Sequence, residues 1–248
     1  YISTDPLYRR YHHNKLTFSM MYAFSENFVL ALSHDEVVHM KGALIAKMAG
    51  DWWQQFAGAR LLAGYQYTHP GKKLNFMGQE IGLWTEWSET RSLDWGLLDW
   101  PAHRQLHDWM RDLNHCYTGQ PALYERDHHP DGFRWIEPND AEQSVFSYLR
   151  FAADPDDFLV VVCNFTPVPR YGYRIGVPLA GRYRELLNSD ARQYGGSGLA
   201  SGGSLEADAS VWHGQPYNLS LTLPPLAIVI LKPERGGVRA GEREQSLA

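Results

Sequence analysis

Residues 28–39, FVLALSHDEVVH, restrict the possible folds of this chain more than any other stretch. The first five, Phe28-Val29-Leu30-Ala31-Leu32, are apolar without alternation and stop abruptly at Ser33-His34-Asp35-Glu36. A short apolar run of that kind fits a strand buried on both faces, as in a parallel sheet wrapped by helices. Parallel sheets bind ligands beyond the carboxyl ends of their strands, where loops carry polar groups into a cleft. His34 and Asp35 fall at that place and are candidate site residues. A plainer reading stands beside this one, because Asp and Ser after a strand also form turns and helix caps. A third reading is a metal site, since HDEVVH invites comparison with the zinc-protease pattern H-E-x-x-H. His34 and His39 are five residues apart, a spacing that does not set two ligands on one helical face, so no metal is expected.

Before the run, the loop-like YISTDPLYRRYHHN leads into Leu16, Met20, Ala23 and Phe24, which recur at helical spacing after an Asn14 cap. After it, a polar loop over 36–50 precedes a helix at Asp51. There Gln54 completes a capping box, and Trp52, Phe56, Ala59 and Ala63 share a face. Pro70-Gly71 ends that helix, and a second buried strand is predicted over 73–77, running into Gly78-Gln79-Glu80. Strand, helix and strand with short connections make a parallel unit. A loop over 81–101 carries Trp84, Trp87, Trp95 and Trp100. A last amphipathic helix then presents Leu106, Trp109, Met110, Leu113 and Tyr117 before Gly119 and Pro121 stop it.

Past Pro121 the texture changes to short segments between turn residues, at 133–136, 145–150, 158–164, 171–175, 183–188, 218–223 and 227–231. That spacing predicts an all-β sandwich able to close its own core. The five-glycine loop over 194–204 is expected to be mobile, and the polar stretch 235–248 to be a disordered tail. The fold class is therefore α/β plus all-β, in three parts: 1–120, 121–234 and the tail 235–248.

A net charge of −5 offers nothing to nucleic acid or an anionic membrane, and no run approaches the ~18 apolar residues that span a bilayer. Aromatic residues make up 13% of the chain, which suits sugar stacking but also large cores. Cys116 and Cys163 sit in helix-like and strand-like stretches away from any obvious base. They are expected as buried thiols in a reducing compartment, hence a cytoplasmic protein. The chain opens at Tyr1, amid folded-looking sequence and without a visible signal peptide, and is expected to be a fragment of a longer protein.

The stretches YHHNKLTFSMMYAFSENFVLALSHDEVVH, PGKKLNFMGQE, SLDWGLLDW, NFTPVPR and LSLTLPPLA closely resemble the glycogen branching enzymes of the α-amylase superfamily. The resemblance covers nearly everything from Tyr1 to about Leu231. It implies that residues 28–33 and 73–77 are strands 7 and 8 of a (β/α)8 TIM barrel, followed by the C-terminal β-sandwich of that family. It further implies that His34 contacts a glucose hydroxyl at the cleavage subsite. Asp35 would be the third carboxylate, a transition-state stabiliser that holds ring hydroxyls in a distorted shape. The implied activity is that of a hexosyltransferase, cleaving an α-1,4 link and rejoining the chain to a 6-hydroxyl. Its partner would be an α-glucan such as amylose or glycogen, and it would need no cofactor.

The main departure is that a retaining enzyme needs a nucleophile and an acid/base carboxyl about 5 Å apart. The family takes these from strands upstream of everything present here, so the chain by itself is expected to be inactive. Alternatives are a related α-glucan hydrolase and a noncatalytic α-glucan-binding module. Glu80 has a supporting place near the cleft in the family, and Trp84 and Trp87 are candidate glucan platforms, with loop packing an equal reading for both tryptophans. Met40 and Ala43 depart from the smaller or more polar residues expected after the motif. Glu36 reads as structural, and packing is an equal reading for His12 and His13.

Overall fold

The computed structural model describes residues 1–38 and 40–234. The predicted tail 235–248 and His39 lie outside the described residues. The predicted parallel unit is present. Strand β1 (Val29–Leu32) pairs in parallel with β2 (Lys72–Asn75), from Val29↔Lys72 to Leu32↔Asn75. A long helix lies between them in sequence. The Asp51 capping box forms as expected: Gln54 N–H donates to Asp51 Oδ1 at 2.9 Å, and Asp51 N–H to Gln54 Oε1 at 3.0 Å.

Both strands are shorter than their apolar runs, and neither is buried on both faces. Val29 is 56% exposed, and Lys72, Asn75 and Met77 are exposed as well. Among the described residues β1 and β2 pair only with each other, so each has an open edge that no neighbouring strand covers. The helix predicted from Asn14 is likewise broken up. It becomes a one-turn helix α1 (Asn14–Thr17) between two 3-10 turns, Pro6–His12 and Phe18–Met21, and Asn14 is its first residue rather than its cap. Tertiary partners meet this stretch. Tyr65 Oη–H donates to the Leu16 carbonyl at 3.0 Å, and Ser19 Oγ pairs with His69 Nε2 at 3.0 Å.

The long helix, α2 (Trp52–Thr68), packs on α3 (Pro101–Gly119), which buries Leu106, Trp109, Met110 and Leu113 as its periodicity requires. Pro101 opens α3 at the one turn where a missing N–H costs nothing. Trp109 Nε1–H donates to the Arg60 carbonyl at 3.0 Å, fixing the two helices against each other.

The C-terminal part is an antiparallel sandwich. Its strands are β3 (Phe133–Glu137), β4 (Val145–Phe151), β5 (Phe158–Asn164), β6 (Arg170–Val177), β7 (Arg182–Asn188), β8 (Ser204–Glu206), β9 (Tyr217–Leu223) and β10 (Ala227–Pro233). The large sheet runs β3-β4-β5-β10-β7-β8, and β6 pairs with β9 to form the second layer. Strand β8 was not expected. It lies at the end of the glycine-rich loop, which is tied down by one buried carboxylate: Asp190 accepts from Ser197 N–H at 2.8 Å, from Ser197 Oγ–H at 2.5 Å and from Leu199 N–H at 3.2 Å.

The large sheet is covered on both faces. Leu149, Val160, Val162, Val229 and Leu231 point into a core shared with Ile175, Val177, Leu219 and Leu221 of the small sheet. Their neighbours Phe146, Tyr148, Leu159, Val161, Cys163, Ile228 and Ile230 enter a second core with Phe56, Leu61 and Trp109 of the helices. The sandwich closes the core between its own two sheets, while α2 and α3 form a third layer over the outer face of the large sheet. Ala122 and Leu123, at the expected boundary, are buried in that second core. The first residues join it too. Arg9 donates to the Phe165 carbonyl at 2.6 Å, and His13, for which packing was an equal reading, stacks on Phe146 with ring centroids 3.9 Å apart.

Candidate functional site

His34 and Asp35 occupy a 3-10 turn, His34–Glu36, immediately past the carboxyl end of β1. The main chain around them is held while their side chains stay open. From α2, Gln66 Nε2–H donates to the Leu30 carbonyl at 2.8 Å and to the Leu74 carbonyl at 2.9 Å, bridging β1 and β2. From the turn after β2, Gln79 Nε2–H donates to the Leu32 carbonyl at 2.5 Å. Lys41 Nζ–H donates to the Asp35 carbonyl at 2.5 Å, and Lys47 Nζ–H to that of Glu36. Val37 and Val38, buried, anchor the exit of the turn. The side chains of His34 and Asp35 are 58% and 72% exposed, with His34 Nε2 3.2 Å from Asp35 Oδ1. An imidazole and a carboxylate so placed are suited to accepting and donating hydrogen bonds to hydroxyl groups of a bound ligand.

Glu80 lies in the equivalent turn after β2, Gln79–Ile81, where Asn75 Nδ2–H approaches Glu80 Oε2 at 3.5 Å. Since Leu32 and Asn75 are register partners, the turns bearing His34–Asp35 and Glu80 leave neighbouring strands side by side. Trp87 joins this group. Its backbone N–H donates to the Val37 carbonyl at 3.1 Å, and its ring meets Phe76 edge-on at 5.3 Å. Phe76 in turn lies 6.3 Å from the His34 ring, so Phe76 stands between His34 and Trp87.

Trp84 goes elsewhere. It stacks on Trp52 with centroids 5.0 Å apart, and its Nε1–H donates to His103 Nε2 at 3.3 Å. His103 Nδ1–H donates to the Ile81 carbonyl at 2.6 Å, which fixes the tautomer that can accept from Trp84. The packing alternative weighed for this tryptophan is what the contacts describe. Ala43 is buried, and Met40 is exposed with φ 68°, a left-handed conformation that a side chain of its size rarely adopts. The glutamines Gln66 of α2 and Gln79 after β2, and the intervening Phe76, were not singled out from sequence. Gln79, beside Glu80 in MGQE, carried the only local signal.

Among the described residues, no group of three His, Cys, Asp or Glu side chains could hold a metal ion. His39, the second histidine of the zinc-like spacing, lies outside them. Cys116 and Cys163 are both free; burial raises the Cys116 thiol to about 11 and pushes the Cys163 thiol up as well. No helix among the described residues is long and apolar enough to cross a membrane.

Comparison with known proteins agrees with the resemblance read from the sequence. Residues 135–234 match the family described as "Alpha amylase, C-terminal all-beta domain". The chain is 56% identical over 234 residues to the 1,4-alpha-glucan branching enzyme GlgB of Aquifex aeolicus, covering 94% of this chain and 37% of that protein. It is 54% identical to the enzyme of that name from Rubrobacter xylanophilus, covering 94% and 32%. With the Synechococcus elongatus enzyme it shares 52% identity over 99% of this chain and 32% of the relative. The chain thus spans about a third of the length of these relatives, and it matches their C-terminal part. Among solved structures, the debranching enzyme of Nostoc punctiforme superposes with a TM-score of 0.55 at 18% identity, covering 82% of this chain and 35% of that one. The α-amylase of H. orenii gives 0.52 at 17%, covering 83% and 39%. At those identities the likeness speaks for the fold alone: an amylase-type C-terminal all-β domain with its preceding helices.

Proposed function

We propose that this chain is the C-terminal third of a 1,4-alpha-glucan branching enzyme and carries part of its transfer site. In this reading β1 and β2 are strands 7 and 8 of a (β/α)8 barrel, and their open edges are where the remaining strands pair. The observation that carries it is the His34–Asp35 turn at the carboxyl end of a parallel strand, with the Glu80 turn leaving the next strand beside it. Active sites of such barrels are built at that end. The parent cleaves an α-1,4 link through a covalent glucosyl intermediate and passes the chain to a 6-hydroxyl. The nucleophile and the acid/base come from upstream of this chain. Asp35 holds ring hydroxyls whose hydrogen bonds strengthen as the oxocarbenium-like state forms, and His34 holds one further hydroxyl. Trp87 is the glucan platform nearest them, Glu80 supports the turn, and Trp84 offers only what its stack on Trp52 leaves open. The two free thiols support a cytoplasmic, reducing setting.

The test is Asp35→Asn in the intact parent. Turnover on amylose, followed by iodine staining and then debranching, should fall at least ~100-fold with little change in substrate binding, because the contact matters most in the transition state. His34→Ala should lose less. Near-normal turnover for Asp35→Asn would overturn the assignment, and shortened linear chains without new branches would identify the parent as a hydrolase instead.

A further inference from the structure

One edge of the large sheet carries a pocket that the glucan chemistry leaves unused. It is about 460 Å³ in volume and is lined by Phe133, Phe151 and Phe158 together with Pro130, Pro155 and Pro178. Small-molecule sites range over about 300–1,000 Å³, and walls of proline and buried aromatic rings are already rigid before a ligand arrives. Two guanidinium groups, Arg126 and Arg134, also line it, against a single carboxylate, Asp131. The pocket is thus locally positive in a chain whose net charge is −5.

Neither guanidinium is used up. Arg134 lies over the Phe151 ring, 5.1 Å from its centroid, and among the described residues its guanidinium has no hydrogen-bond or ion-pair partner. Arg126 donates one hydrogen bond, to the Ala153 carbonyl at 2.9 Å, and its other end stands 3.7 Å from Asp131. Asp131 is shared in turn with His129 Nδ1 at 3.4 Å. Stacking on an aromatic face holds a guanidinium in place while leaving its planar fork of N–H donors available, the geometry that matches two oxygens of one anion.

We propose that this pocket binds a small organic anion, a phosphate or carboxylate head joined to a compact ring. The head meets Arg134 and Arg126, and the ring meets Pro130, Pro155 and Pro178, which line the pocket beside the buried Phe151 and Phe158. An apolar ligand would leave Arg134 desolvated without a partner, and a bare anion would leave the proline wall unused. The site shares no residue with the His34–Asp35 turn, so it stands or falls independently of the branching-enzyme reading.

Titration of the full chain with phenyl phosphate, inorganic phosphate and benzyl alcohol, followed by backbone amide resonances, tests it. Phenyl phosphate should give saturable shifts confined to 126–134 and 151–158, with each of the other two binding at least about tenfold more weakly. Arg134 is exposed, so its replacement leaves the fold intact. Arg134→Gln should weaken phenyl phosphate about tenfold or more, and Arg134→Glu should abolish its binding. Arg182→Gln, which breaks an exposed pair with Glu206 elsewhere on the sheet, should change nothing. Binding that survives Arg134→Glu, equal affinity for inorganic phosphate, or no saturable shifts at these residues would each overturn the proposal.

Discussion

Asp127 is the anion on which two buried cations depend. Its side chain is 1% exposed, with Arg150 Nη2 2.8 Å and Lys73 Nζ 3.8 Å from Oδ1, and those two side chains are 0% and 6% exposed. Burial pushes Lys73 down to about 7, so the lysine can shed its proton, but the guanidinium cannot. Asp127→Ala should therefore destabilise the chain by about 3–5 kcal/mol, read as a lowered urea midpoint. A loss under about 1 kcal/mol would show that the carbonyls of Thr68, Gly132 and Leu123 around Arg150 already suffice. His69, nearby, adds a pH dependence. Burial pushes it down to about 4, and its neutral form donates from Nδ1 to the Pro70 carbonyl while Nε2 accepts from Ser19. The unfolded chain takes up this proton near the ordinary 6.5, before the folded one does. Stability is thus intact above 6.5 and falls as pH drops towards 4, by up to about 3 kcal/mol from this group. Urea unfolding at pH 7 and pH 4.5 should show that loss, and His69→Gln should flatten it.

At the scale of elements, the contact between α2 and β10 admits no added side chain. A Cβ on Gly64 would stand 2.5 Å from Ile228 Cγ2 and 3.2 Å from Trp109 Cζ2. Alanine in a helix interior gains about 1 kcal/mol over glycine, whereas overpacking a core costs about 1–3 kcal/mol. Gly64→Val, with two further methyl groups, should lower the melting temperature clearly, and Ile228→Ala in the same chain should recover part of the loss. If Gly64→Val is neutral, the helix–sheet spacing is looser than these distances imply. The same packing answers why β4, β5 and β10 are largely apolar, with Ser147, Arg150 and Asn164 the buried polar exceptions in β4 and β5: one side of each strand meets the small sheet and the other meets helices.

For the whole molecule, that shared core predicts one cooperative unit running from Asp51 to Pro233. Limited proteolysis should cut first within 18–49, where Phe18, Met21, Val29 and Met40 are exposed. It should leave α2, α3 and the sandwich together. Early cleavage between α3 and β3 that releases a stable sandwich would contradict this, because separation bares Leu159, Val161, Cys163, Ile228 and Ile230. The sandwich was expected from sequence to be self-sufficient. The strand spacing that signals a sandwich carries no information about what covers its outer face.

What the sequence determined was most of what local chemistry sets, the Asn14 cap excepted. The Asp51–Gln54 box, the Gly119 and Pro121 that stop α3 and the turn residues between strands act over a few positions, and the elements they imply are present. The apolar run ending in SHDE likewise marked the strand end where His34 and Asp35 lie. Tertiary structure decided which faces are buried, because burial depends on partners distant in the chain. The exposure of Val29, the contacts of Tyr65 and His69 with the interrupted helix after Asn14, and the stacking of Trp84 on Trp52 all turn on residues dozens of positions away. The two glutamine amides that fix the end of β1 do so through backbone carbonyls, which every residue possesses, so no pattern of side chains could have announced them.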